Sequence, residues 1–310
     1  MKQKICLLAA PRTWSTRFFL GALLLYFTCI LAQALPSGLN TQLNLQKINA
    51  SSTAKDYIEI YAGSDDPASY VKGALLLVGD SPPDVQDQVD VSGGMSKRLS
   101  RFYYGYALWP PGMFMLNALP LSFSVDAPLA LYQILVAGTL WAIALALVAS
   151  QLATRLSRPL ALLLPGLIML FPLFHHILFQ NMVMYSEPYA IALAVIGMTL
   201  LFSYWSREQA GKQLFLAGAC LAAASFFRAQ FYPVAIGIAL LLIGAVLLRA
   251  YRKGLNLRVE LRRSNALVFF LAVVVPLGGY TLFHQGQFVV YGSLAQTPYT
   301  TPPYPDAGQR

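Results

Sequence analysis

Charge is scarce in this sequence. Only 11% of its 310 residues are Asp, Glu, Lys or Arg, where a soluble globular domain carries roughly a quarter. That shortage argues against a water-exposed surface over most of the chain. Cysteine is also scarce: Cys6 lies in the N-terminal tail, and Cys29 and Cys220 lie in apolar runs. No pair shares an aqueous loop, so no structural disulfide is expected. No internal repeat is evident, which weakens a transporter built from inverted halves. The adjacent His175 and His176 point in different directions on a helix and have no carboxylate or cysteine at ligand spacing. A protein zinc site is not expected from them.

Apolar residues are abundant, at 57%, with a mean hydropathy of +0.56. Runs of about twenty apolar residues match the hydrocarbon core of a bilayer as helix. Seven such runs are legible, at 18–35, 128–149, 159–175, 187–205, 213–227, 232–249 and 265–284. The expectation is an all-α, polytopic transmembrane bundle of about seven spans. Its parts are a tail and first helix (1–35), a large outer loop (36–127), a six-span bundle (128–284) and an outer tail (285–310) rich in Pro and Thr at its end and expected to be disordered. Ala32-Gln33-Ala34 after an apolar run also fits a cleavable leader, but a retained first helix is expected. Asn49-Ala50-Ser51 is a glycosylation sequon, a triplet that often arises by chance.

Lys and Arg in the short loops set the orientation. Lys2, Lys4, Arg12 and Arg17 precede the first run. Arg155 and Arg158 follow the second, and Arg207 and Lys212 the fourth. Arg249, Arg252, Lys253, Arg258, Arg262 and Arg263 follow the sixth. All fall on one side, which is then cytoplasmic, so the net charge of +9 reads as membrane topology and not as nucleic-acid binding. Segment 102–123 is apolar too, but Pro110, Pro111 and Pro120 interrupt it. Counting it as a span would invert every later loop. It is expected to lie at the outer interface, with Tyr103, Tyr104, Tyr106 and Trp109 at headgroup depth.

Four features could carry chemistry. Asp65-Asp66-Pro67-Ala68-Ser69-Tyr70 places an acid before proline at a helix start. Val71, Ala74, Leu75 and Val78 follow at helical spacing and Gly79 ends the run, predicting an amphipathic helix over 67–78. Plain capping explains Asp66 and leaves Asp65 without a task. In Tyr185-Ser186-Glu187-Pro188 a carboxylate stands at a membrane boundary, either used chemically or favoured there by the helix dipole. Arg228 falls at the outer end of the fifth run, where it can hold an anion such as a lipid phosphate or snorkel to the headgroups. Arg101, followed by Trp109-Pro110-Pro111-Gly112, ends the outer loop, where an interfacial anchor is the simpler reading.

Taken in order, these motifs resemble the GT-C membrane glycosyltransferases, among them the protein O-mannosyltransferases and the aminoarabinose transferase. The resemblance covers roughly 15–290 and rests on four elements. They are Asp65-Asp66-Pro67 before the helix, Trp109-Pro110-Pro111-Gly112, Ser186-Glu187-Pro188, and Arg228. It implies sugar transfer from a polyprenyl-phosphate carrier to an acceptor hydroxyl at the outer face, with inversion. Asp65 or Asp66 would be the general base, and Arg228, Glu187, Arg101 and Tyr70 would bind substrate. Some relatives use a divalent cation at the acidic pair, and the resemblance leaves room for one. Family members usually continue with several more spans and often a soluble outer domain, whereas this chain stops soon after the seventh run. That implies a compact or truncated member, or one that works with a partner subunit. The expected location is a bacterial inner membrane. The competing reading is a non-enzymatic protein: a lipid-linked-sugar transporter or an accessory subunit of an envelope glycan complex. Transport would need polar residues along several runs, and these are mostly Leu, Ala, Val and Ile.

Overall fold

The computed structural model describes residues 15–34, 39–40, 47–48, 51–60, 66–79, 111–170, 185–207 and 211–295. Within them the chain is helical apart from a two-residue antiparallel pair, β1 (Leu39–Asn40) with β2 (Lys47–Ile48). The helices are α1 (Thr16–Ala34), α2 (Ala54–Ile60), α3 (Asp66–Val78), α4 (Gly112–Leu121), α5 (Leu129–Leu152) and α6 (Arg158–Ile168). They continue as α7 (Glu187–Arg207), α8 (Gly211–Phe227), α9 (Phe231–Arg252), α10 (Leu257–Ser264) and α11 (Ala266–Ala295). Runs of Leu, Ala, Val and Ile favour helix because it satisfies every backbone N–H and C=O within the segment, which hydrocarbon demands.

Among the described residues, three helices are long and apolar enough to cross a membrane: α1 with 19 residues, α5 with 24 and α9 with 22. At 1.5 Å per residue, these lengths approximate or exceed a core of about 30 Å. Shorter apolar helices occupy the other four expected runs. The third run is helical only to Ile168 and turns at Met169–Leu170, so the expected end at 175 falls outside the described residues. Over 67–78, where an amphipathic helix is expected, the chain forms the helix α3. It stops at Gly79, whose φ of +89° suits a residue without Cβ. Of 102–123, residues 111–121 form a turn and the ten-residue α4, about 15 Å long and too short to cross a bilayer.

Side-chain contacts fix the relative directions of the bundle helices. α5 and α7 are parallel: Tyr189 Oη donates to the Gln133 carbonyl near their N-terminal ends, and Gln151 bonds Ser203 near their C-terminal ends. α8 runs antiparallel to α7, with Phe227 stacked on Tyr189 and Gly197 packed against Leu221. α11 runs parallel to α8, joined through Gly218 against Phe269 and Ala272, and through Phe226 against Tyr280. α9 returns beside α11, with Tyr232 hydrogen-bonded to Thr281 at 3.0 Å. One face of the molecule therefore gathers the N-terminal ends of α5, α7 and α9 and the C-terminal ends of α8 and the α11 segment near Thr281. Arg155, Arg158, Lys212, Arg249, Arg252 and Lys253 gather at the opposite face.

Helices approach closely where small residues meet. A Cβ on Gly218 would stand 2.9 Å from both the Phe269 carbonyl oxygen and the Ala272 Cβ. Such contacts replace the hydrophobic drive that is missing between helices in lipid. The apolar side chains left outside are large: Leu24 is 67% exposed, Leu241 74% and Val275 64%. A surface of that kind suits lipid tails.

Candidate functional site

α7 begins at Glu187 because Pro188 cannot donate a backbone hydrogen bond and Ser186 offers its carbonyl to Ala190 at 3.1 Å. α8 ends one residue before Arg228, whose amide still bonds the Ala224 carbonyl at 3.0 Å. Because α7 and α8 are antiparallel, these two ends meet, and Arg228 Nη2 pairs with Glu187 Oε1. The pair is mostly shielded, with the side chains 21% and 29% exposed. Each partner keeps a buried polar atom without a hydrogen bond: Arg228 Nε and Glu187 Oε2. The hydroxyl of neighbouring Ser186, wholly buried, is also unsatisfied. Orphaned polar atoms inside a protein are costly, and at a ligand site they are the atoms a ligand can satisfy.

The pair rests on a buried polar assembly. The Tyr189 ring stacks on Phe227 with centroids 5.3 Å apart and planes 9° apart. The Tyr189 hydroxyl reaches the Gln133 carbonyl at 3.2 Å. Gln133 Oε1 accepts from the Tyr57 hydroxyl at 2.8 Å, and its Nε2 donates to Asn117 Oδ1 at 2.8 Å. One amide thus ties α2, α4 and α5 together, and its backbone holds α7. Asn117 is fully buried, and its Nδ2 has no partner.

A second chain of contacts leads from the end of α8 to α3. A Cβ on Gly112 would lie 2.7 Å from the Phe226 carbonyl oxygen and 2.9 Å from the Phe227 ring, so only glycine lets α4 start against the end of α8. Two residues on, Phe114 meets Tyr70 edge-on with centroids 5.9 Å apart, and Gly73 makes room for the same ring. α3, which begins at Asp66, is therefore seated on α4, and α4 is seated beside Arg228.

Of the residues singled out in the sequence, the structure brings Glu187 and Arg228 into direct contact. Tyr70 is 2% exposed and packs in the α3–α4 contact. Asp66 is placed as the first residue of α3. Asp65, Arg101, Trp109, Pro110, His175 and His176 lie outside the described residues. Among the described residues, no group of three or more His, Cys, Asp or Glu gathers as a metal site. Gln133, Asn117, Tyr57 and Tyr189 were not singled out in the sequence. The available signal was an uncharged amide within an otherwise apolar helix, at Gln133 in α5 and Asn117 in α4. No protein-family model, curated protein or solved structure matches the chain.

Proposed function

We propose that the chain is a multi-pass membrane glycosyltransferase that moves a sugar from a polyprenyl-phosphate carrier to an acceptor hydroxyl. The reaction would occur at the face bearing the Glu187–Arg228 pair. In this reading the four shorter apolar helices complete a seven-span bundle, and the Lys- and Arg-rich face is cytoplasmic. The pair then lies at the outer boundary, where lipid headgroups meet water.

The observation that carries the proposal is that pair, with Arg228 Nε and Glu187 Oε2 buried and unsatisfied. A guanidinium presents several donors in a fixed fork suited to phosphate oxygens. Glu187 occupies one arm and fixes its orientation, and the remaining donors are available to an anion. In the reaction, Asp65, or Asp66 at the start of α3, takes the proton of the acceptor hydroxyl. The hydroxyl oxygen bonds the anomeric carbon while the bond from that carbon to the phosphate oxygen breaks, which inverts the centre. Negative charge then builds on the departing polyprenyl phosphate, and Arg228, with Arg101, stabilises it. Contact between α3 and α4, and between α4 and the end of α8, is what would bring base and phosphate site together. This mechanism uses a divalent cation in no step.

A specific observation also favours the non-enzymatic reading: Glu187 already neutralises Arg228, which is all a structural pair in an accessory subunit requires. Transfer of radiolabel from polyprenyl-phosphate sugars by purified protein separates the two. The glycosyltransferase reading predicts turnover by wild type, its loss in Asp65→Asn with folded protein retained, and a marked loss in Arg228→Gln. Wild-type turnover by Asp65→Asn refutes the base assignment. Absence of turnover across a panel of such donors favours the accessory role.

A further inference from the structure

We propose that the turn and short helix after α9 form a docking surface for anionic phospholipid headgroups, independent of any catalytic role. Residues 249–263 contain six cations, Arg249, Arg252, Lys253, Arg258, Arg262 and Arg263, against one acid, Glu260. That acid is spent internally: Glu260 Oε1 lies 3.1 Å from Arg249 Nε and its side chain is 7% exposed. Arg252, Lys253 and Arg258 are left exposed. Large apolar side chains are interleaved with them, Tyr251 at 86% and Val259 at 60% exposure, with Leu255 and Leu257 each at 44%.

The backbone holds this mixture at the end of a spanning helix. α9 stops in a turn at Gly254, φ +60°, where the Leu255 amide bonds the Ala250 carbonyl and the Gly254 amide the Tyr251 carbonyl. Asn256 Oδ1 accepts from the Arg258 amide at 3.0 Å and starts α10. Asn265, φ +51°, then redirects the chain into α11. The Arg249–Glu260 bond ties α10 back to α9. Because α9 is one of the three helices able to cross a bilayer, covalent continuity sets α10 at the membrane boundary. Exposed cations beside exposed apolar groups at that depth match an anionic lipid surface: headgroup phosphates face the cations and the apolar groups enter the acyl boundary. A soluble acidic partner would meet the charge but leave Tyr251 and Val259 unaccounted for.

The test uses the full chain in nanodiscs of equal parts phosphatidylglycerol and phosphatidylcholine, with retained lipids counted by native mass spectrometry. Wild type is expected to retain phosphatidylglycerol preferentially, with the preference falling as salt is raised. The variant R252Q/K253Q/R258Q is expected to lower the preference about tenfold or more, since it removes from beside the exposed apolar side chains three cations that contribute roughly fivefold each. The control R155Q/R158Q, which removes two exposed cations from the same face, is expected to keep most of it. No preference in wild type, a salt-independent preference, or an equal loss in the control and the triple variant would each overturn the proposal.

Discussion

Glu187 and Arg228 divide one ion pair between two helix ends, and the division decides what each substitution does. Glu187→Gln leaves a guanidinium largely shielded from water with no countercharge. Losing one partner of a fully buried pair costs about 3–5 kcal/mol. The partial exposure here lowers the expected loss to about 1–3 kcal/mol. Exchanging the two residues, Glu187→Arg with Arg228→Glu, should recover a large part of that loss, because the charges still meet. Thermal unfolding of the two single variants and the exchange in detergent measures the coupling directly. Single variants as stable as wild type would show that the pair holds nothing together. Gln133 makes a second prediction at this scale. Gln133→Leu removes the acceptor of the Tyr57 hydroxyl and the donor to Asn117 together, for about 2–6 kcal/mol, counting roughly 1–3 kcal/mol for each group affected. Asn117→Leu breaks one bond and also removes the unsatisfied Nδ2, so its cost should be smaller. The same unfolding experiment ranks the two, and the reverse order would contradict the network.

Among the elements, glycines that hold helices together can be told from glycines that do not. Gly112→Ala places a methyl against the Phe226 carbonyl oxygen, and Gly218→Ala places one against the Phe269 carbonyl oxygen. Backbone cannot rotate away as a side chain can, so each should cost about 1–3 kcal/mol. Gly237, in α9, has open space around its Cβ position. Gly237→Ala should be neutral or stabilise by up to about 1 kcal/mol. Melting temperatures of the three variants check this, and equal effects would contradict the packing. The long elements were legible in the sequence because lipid imposes a length and an apolar composition that few other environments demand. α3 was legible through its punctuation, Asp66-Pro67 at the start and Gly79 at the stop. α10 was not: Leu257-Arg258-Val259-Glu260-Leu261-Arg262-Arg263 read as a charged loop, and the partner of its one acid, Arg249, lies in a different element. Glu187 and Arg228 were each legible as boundary charges. Their pairing required α7 and α8 to pack antiparallel with their ends level. The Gln133 network was illegible for a related reason, since its partners come from α2, α4 and α7 and no spacing along the chain reports them.

At the scale of the whole molecule, the account stands on two faces. Parallel α5 and α7, fastened near both ends by Gln133–Tyr189 and Gln151–Ser203, require the chain to return across the bundle between residues 152 and 187. That return is what separates Arg155 and Arg158 from Glu187. Separately, α1 runs antiparallel to α5, with Gly138 packed against Ile30 and Leu31, which agrees with the reading of α4 as too short to cross. The most direct test places single cysteines at Ser124, exposed between α4 and α5, and at Ser157, exposed between α5 and α6. Cys6, Cys29 and Cys220 are replaced in the background. A membrane-impermeant maleimide is then applied to intact cells. The account predicts labelling at position 124 in intact cells, and at 157 only after the membrane is opened. Equal labelling of the two positions in intact cells, or labelling of 157 alone, would contradict it.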